Sequence, residues 1–130
     1  MKIEACDSAE HPGWLRLRQA LWPEGVREQH LAEMAAQVAA PQRYRQFVAY
    51  SPSSEAVGLI EASMRSDYVN GTETSPVAFV EGLYVVPQAR RQGIAGSLVA
   101  TVCDWARHVV YRALGFEDTE RIVFFRRKLA

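Results

Sequence analysis

The run Phe79-Val80-Glu81-Gly82-Leu83-Tyr84-Val85-Val86 is extended in character and closed by Pro87; Arg90-Arg91-Gln92-Gly93-Ile94-Ala95-Gly96-Ser97 comes almost at once after it. Together they predict a strand that turns sharply into a helix. A glycine-rich turn of this kind leaves several backbone N–H groups unpaired and pointing the same way, at the positive end of the helix dipole, so it favours an anion. The spacing Arg-x-x-Gly-x-Ala fits neither common phosphate motif, Gly-x-x-x-x-Gly-Lys-Ser/Thr or Gly-x-Gly-x-x-Gly. Taken alone, Gly93 is equally an ordinary turn glycine, and Arg90 and Arg91 a solvated surface pair. The strand adds a constraint, because a free backbone edge at Leu83-Tyr84-Val85 would pair with an extended, peptide-like ligand arm.

At 130 residues the chain is expected to form one domain, residues 1–130, with a core that needs no disulfide or metal. Fifteen Lys and Arg balance fifteen Asp and Glu, so there is no basic face for nucleic acid and no evident attraction to a membrane. Cys6 and Cys103 fit a reduced intracellular protein better than a disulfide framework, and both are expected in the core. Charges at Lys2, Glu4 and Asp7 stand where a signal peptide needs an apolar stretch, and no apolar run reaches membrane-spanning length, so the cytoplasm is the expected compartment. His11, His30 and His108 are scattered without metal-ligand spacing, and no metal is expected.

Along the chain, Met1 to Cys6 alternates like a strand, with Asp7 or Ser8 able to cap the helix after it. That helix is expected from His11 to Leu21, with Trp14, Leu17, Ala20 and Leu21 on one face and Trp22-Pro23 as its end. A second runs from about Val26 to Ala40, with Leu31, Met34, Ala35 and Val38 in one stripe and Pro41 as a stop. Arg45 to Tyr50 reads as a strand, Ser51-Pro52-Ser53-Ser54 as a turn, and Ala56 to Arg65 as the hairpin partner. The polar loop Asp67 to Pro76, with its Asn70-Gly71 step, leads to the strand Val77 to Val86. The next helix carries Ile94, Leu98, Val99, Val102 and Trp105; a separate short helix, His108 to Leu114, is expected to stop at Gly115, before a last strand through Ile122, Val123, Phe124 and Phe125.

The turn at Arg90 to Ser97 resembles the pyrophosphate-binding turn of the GNAT superfamily of N-acetyltransferases. More specifically, Leu21-Trp22-Pro23, Asp67-Tyr68-Val69-Asn70-Gly71 with Ser75-Pro76, Glu81-Gly82, and Ala113-Leu114-Gly115-Phe116-Glu117-Asp118-Thr119-Glu120-Arg121 resemble the bacterial aminoglycoside 6′-N-acetyltransferases, in that family's order. The resemblance implies an α/β (α+β) fold with a GNAT-type mixed, mostly antiparallel central sheet flanked by helices. It implies acetyl-CoA as cosubstrate, held by Leu83, Tyr84, Val85, Arg90, Arg91, Gln92, Gly93, Ala95, Gly96 and Ser97. It implies an aminoglycoside acceptor acetylated at its 6′-amine, contacted by Trp22, Asp67, Tyr68, Glu81 and Glu120, and a homodimer. Another small amine or polyamine acceptor, or a non-catalytic acetyl-CoA-binding module, are the competing readings.

The chemistry of such an acceptor agrees with those residue types. An aminoglycoside is a polycation, so its site should offer carboxylates to ammonium groups and flat aromatic faces to sugar rings. Glu81 interrupts an apolar strand, where a carboxylate is costly without a partner or a task. One task would be to orient the acceptor ammonium and take its proton, directly or through water, before attack on the thioester; the alternative is a strand carboxylate paired with a core arginine or a backbone amide. A strand N–H near Leu83 would steady the developing oxyanion, and Tyr111 occupies the position where many GNAT enzymes carry a tyrosine acid for the leaving thiolate.

The sequence departs from the family between Trp105 and His108. The GNAT pattern there has a helix end, a strand and the start of the next helix, and only Ala106 and Arg107 intervene here. A strand with two connections takes on the order of fifteen to twenty residues. Either the protein carries a true deletion between Arg107 and His108, or the sequence omits a segment of the polypeptide; omission is the expectation, because a direct join would leave Gly115-Phe116 without its usual sheet partner.

Overall fold

The structure, a computed structural model, describes residues 1–65, 77–114 and 124–126, with only the backbone path for 110–114 and 124–126. Strand β1 (Lys2–Ala5) is followed by helices α1 (Trp14–Leu21) and α2 (Arg27–Ala39), then strands β2 (Tyr44–Tyr50), β3 (Ala56–Arg65) and β4 (Val77–Val85). A short 3-10 turn (Pro87–Ala89), helix α3 (Ile94–Leu114) and strand β5 (Phe124–Arg126) complete the order. The five strands form one sheet in the order β1-β2-β3-β4-β5, antiparallel throughout except for the parallel pair β4–β5.

Local chemistry explains these boundaries. Trp22 and Ala40, each just ahead of a proline, leave helical geometry and end α1 and α2. The β2–β3 turn is closed by Ser54 N–H donating to Ser51 O at 2.8 Å, with Ser54 in the left-handed region at φ 68°. Neither Asp7 nor Ser8 caps α1: Ser8 Oγ accepts the Glu10 N–H at 3.1 Å in a local turn, and the helix starts only after Gly13. Trp14, Leu17 and Leu21 are buried as expected, but Ala20 and, on α2, Ala35 face solvent, since a small methyl tolerates either side of an amphipathic helix.

β3 is buried along its length up to Arg65, as a central strand covered on both faces must be. Glu61 turns towards α1 and α2, while on the other face Gly58 lies beneath Ile94 and Leu98 of α3. The core runs through both layers, from Trp14, Leu17 and Met34 through Val48, Leu59, Ile60 and Leu83 to Leu98 and Val102.

The junction at Arg107-His108 corrects one expectation. There is no separate helix from His108; α3 runs unbroken from Ile94 to Leu114. Its inner face continues across the junction, with Val102 and Ala106 buried and Trp105 and Val109 packed beside them. The last strand, described over Phe124–Arg126, lies parallel against β4 with Ala78 opposite Phe124 and Val80 opposite Arg126, and Ile122 and Val123 lie outside the described residues. It therefore has a partner within its own chain. Gly115 and Phe116 lie outside the described residues.

Candidate active site

The turn after β4 has the geometry of an anion cradle. Arg91 (φ 66°) and Gly93 (φ 81°) both adopt left-handed backbone, which costs nothing at glycine and is uncommon at arginine. Ser97 N–H closes the first turn of α3 on Gly93 O at 3.0 Å. Among the described residues no backbone acceptor takes the N–H groups of Gln92, Gly93, Ile94, Ala95 or Gly96. A Cβ built at Gly93 or Gly96 would meet nothing within 4 Å, so the cradle is open. Arg90 does not point freely into it: its Nε donates to Val85 O at 2.7 Å and its guanidinium sits 5.7 Å from the Tyr84 ring. Arg91 and Gln92 are exposed on the rim.

β4 leads into this cradle and changes character halfway. β5 pairs with it only at Ala78 to Val80, so beyond Val80 the outer edge through Leu83, Tyr84 and Val85 has no strand beside it among the described residues. At the same place the ladder to β3 is irregular: Val80 faces Ala62 and Gly82 faces Glu61, leaving Glu81 as an extra residue. Such a bulge re-aims the side chain of the extra residue. Glu81 lines a cleft of about 640 Å³. One of its oxygens, Oε2, accepts from Ser63 Oγ at 2.8 Å and from Arg65 Nη2 at 3.0 Å. Glu81 thus has a partly exposed arginine partner, Arg65, and also lines a cavity.

Trp22 is brought to the same cleft by close packing. A Cβ on Gly82 would lie 2.6 Å from Trp22 Cη2 and 2.7 Å from Leu21 Cδ2, so the absence of a side chain at 82 is what lets the indole lie against the strand next to Glu81.

Beneath the cleft lies a buried polar network that the sequence pattern does not reveal. Glu61, 1 % exposed, accepts from Trp14 Nε1 (2.8 Å), Arg18 Nε (2.7 Å), Arg18 Nη2 (3.2 Å) and Gln37 Nε2 (2.8 Å). Arg18, itself buried, also donates from Nη1 to Glu33 Oε1 at 2.9 Å and to His30 Nδ1 at 3.0 Å, and its guanidinium lies 5.0 Å from the Trp22 ring. Because arginine only donates, Nδ1 of His30 is an acceptor, and its proton sits on Nε2, which donates to Trp22 O at 3.2 Å. Burial disfavours the Arg18 cation, but the nearby Glu61 and Glu33 carboxylates outweigh it and raise its pKa above the ordinary arginine value. The signal for Glu61 was present in the sequence, since it too is a carboxylate inside an apolar strand run.

Of the expected site residues, the structure gathers Trp22 and Glu81 on one cleft, and Leu83 to Val85 and Arg90 to Ser97 along one strand edge and turn. Asp67, Tyr68 and Glu120 lie outside the described residues, as do Glu73, Glu117 and Asp118. Tyr111 falls on the last turns of α3. Burial raises the pKa of both thiols, Cys6 and Cys103, which works against a thiolate nucleophile; Cys6 is buried and Cys103 only partly so. Among the described residues no His, Cys, Asp and Glu cluster could hold a metal, and no helix is long and apolar enough to cross a membrane.

A turn with unpaired backbone N–H groups, a strand edge with no strand beside it among the described residues and an acid-lined cleft lie along β4, the arrangement of a two-substrate transferase site. The pattern of the acetyltransferase (GNAT) family matches residues 12–127. The chain is 41% identical to aminoglycoside N(6′)-acetyltransferase type 1 of Serratia marcescens, over 98% of this chain and 99% of that protein. In structure it is similar to the apo aminoglycoside 6′-N-acetyltransferase AAC(6′)-IG of Acinetobacter haemolyticus, with TM-score 0.75, 38% identity and 100% of both chains covered. It is also similar to AAC(6′)-Iy in complex with the bisubstrate analogue CoA-S-monomethyl-acetylneamine, with TM-score 0.70, 33% identity and 98% and 99% of the two chains covered. This chain belongs to the GNAT acetyltransferase family. The Serratia marcescens alignment runs over 145 positions against 130 residues here, so at least 15 positions of that relative face no residue in this chain.

Proposed function

We propose that the protein transfers the acetyl group of acetyl-CoA to the 6′-amine of aminoglycoside antibiotics, in a single domain spanning residues 1–130, and so confers resistance to them. The observation that carries the reading is the bulge at Glu81, which turns a carboxylate into an acid-lined cleft from the strand whose free edge runs to the anion cradle. The pyrophosphate of acetyl-CoA would take the unpaired N–H groups of Gln92 to Gly96, with Arg91 and Gln92 on the rim, and its amide arm would pair along Leu83 to Val85. The acceptor cation would enter between Trp22 and the carboxylates of Glu24, Glu33 and Glu81. Asp67, Tyr68 and Glu120 are proposed to complete that side.

In this reaction Glu81 orients the 6′-ammonium and accepts its proton, directly or through a water, and the neutral amine then attacks the acetyl carbonyl. The Leu83 N–H steadies charge on the carbonyl oxygen, and Tyr111 returns a proton to the departing thiolate. The enzyme is placed in the cytoplasm, where acetyl-CoA is available, and as a homodimer; the outer edge of β5, with no further strand among the described residues, could serve a second copy.

The test is release of free thiol from acetyl-CoA with kanamycin, compared with an analogue bearing a 6′-hydroxyl. Release with kanamycin alone is expected. Binding of acetyl-CoA without release on either compound would instead favour a non-catalytic module, and release on other amines only would move the acceptor class.

A further inference from the structure

We infer that one face of α2, carrying Glu33 and Gln37, is a second ammonium subsite in the acceptor cleft, held in shape by buried Arg18. The inference rests on the acceptor reading above only for the identity of the ligand. Residues four apart on a helix lie one above the other on the same face, and Glu33 and Gln37 both line the cleft. Their polar atoms are not free to rearrange. Glu33 Oε1 is fixed by Arg18 Nη1 at 2.9 Å, while its side chain remains 49% exposed. Gln37 must present its nitrogen to Glu61, because a carboxylate only accepts, and this donation at 2.8 Å fixes its amide oxygen as a hydrogen-bond acceptor. That oxygen, Gln37 Oε1, is buried and has no hydrogen-bond partner among the described residues. A buried acceptor without a donor is costly. An ammonium group, with three N–H donors and a positive charge, can add to the half-exposed Glu33 carboxylate, whose Oε2 takes only a 3.4 Å contact from Gln29 Nε2 among the described residues, and can supply the donor that Gln37 Oε1 lacks.

The charges agree. Arg18 is matched by Glu61, both buried, so the negative charge of Glu33 is left in excess on the cleft side. Glu81 has its own cation in Arg65. A monocationic acceptor needs only the Glu81 end of the cleft, whereas a polycation gains from a second anionic contact further along it. Arg18 acts here as a positioning residue, since it holds Glu33 through a hydrogen bond and supports Trp22 across 5.0 Å.

The experiment is titration calorimetry of kanamycin into the full chain and into Glu33→Gln, with Glu28→Gln as a control of equal charge on the exposed side of α2. Glu33→Gln keeps an oxygen for Arg18 and removes the charge, so it should fold. The dissociation constant should rise about tenfold in Glu33→Gln, the size of one charge-assisted hydrogen bond at a half-exposed site, and its dependence on salt should flatten. Glu28→Gln should stay within about twofold, as expected for an exposed charge away from the ligand. Equal affinities in the wild type and Glu33→Gln would overturn the subsite, as would equal losses in both variants. Kanamycin that binds to the wild type without being acetylated would overturn the catalytic reading alone, and the Glu33→Gln comparison would still decide this one. Kanamycin that does not bind the wild type would overturn both.

Discussion

Glu81 and Gly82 are adjacent residues that the proposed chemistry needs for opposite reasons, one for its carboxylate and one for having no side chain. If Glu81 takes the acceptor proton, Glu81→Gln keeps the Ser63 and Arg65 contacts in place, because an amide oxygen can accept both. The variant should therefore fold normally and lose about 10²- to 10³-fold in kcat on kanamycin, with the KM for acetyl-CoA unchanged, as thiol release would report. An equal loss in acetyl-CoA affinity would mark Glu81 as structural. Gly82→Ala tests the neighbouring position. Its new methyl would stand 2.6 Å from the Trp22 ring. Because the ring is wedged by Leu21 and the buried Arg18 network, overpacking should cost about 1–3 kcal/mol, read from the urea midpoint, and should raise the acceptor KM more than that for acetyl-CoA.

At the scale of elements, α1, α2 and β3 are joined by one buried ion pair with neutral donors around it. Arg18 and Glu61 form a paired charge that is costly to break and cheap to replace. Glu61→Ala should cost about 3–5 kcal/mol, because it leaves the buried Arg18 cation with Glu33 as the one carboxylate bonded to it among the described residues, whereas Arg18→Met with Glu61→Leu should recover most of that loss; urea unfolding of the two proteins decides it. Recovery of folding without recovery of acceptor affinity is expected from the double variant, since Glu33 and Trp22 lose their support. Little of this network is legible in the sequence. The elements themselves are, because hydrophobic period and proline stops fix α1, α2 and the β2–β3 hairpin to within a few residues. The sharp turn from β4 into α3 is also legible, since its geometry is local. Trp14 was expected as a core residue, and it is fully buried, but its indole N–H answers to Glu61, which lies 47 residues away. Pattern within one helix carries no information about a partner on another strand. The bulge at Glu81 is hidden for the same reason, being a property of the pairing of two strands.

For the molecule as a whole, the sheet and its burial set how stability responds to alkali. Burial pushes the Tyr50 phenol from 10.0 up to about 12, and raises the Cys6 thiol above its ordinary 9.0. Both groups are more acidic in the unfolded chain, so their contribution is complete below about pH 9 and is lost as pH climbs through the folded values. The melting temperature should fall progressively from about pH 9 to 12, and Tyr50→Phe should shallow the upper part of that decline. The other whole-molecule property is the length of the chain itself. A strand between Arg107 and His108 was expected from the resemblance, yet Leu98, Val102 and Ala106 are buried on one face of α3, and Trp105 and Val109 pack beside that face across the junction. His108 adds to the continuity, its Nδ1–H donating to Asp104 O one turn back at 2.8 Å. β5 meanwhile occupies the side of β4 at Ala78 to Val80 and gives the sheet its parallel edge. A helix that keeps its buried face in register through the join is compatible with a shortened chain, while the at least 15 positions of the Serratia marcescens relative that face no residue here are what an omitted segment would leave. Intact-mass measurement of the purified protein decides between the two, and 14.6 kDa would mark a true deletion. A value about 2 kDa higher would restore a strand of ordinary length with its connections between Arg107 and His108, and would replace the single helix by two.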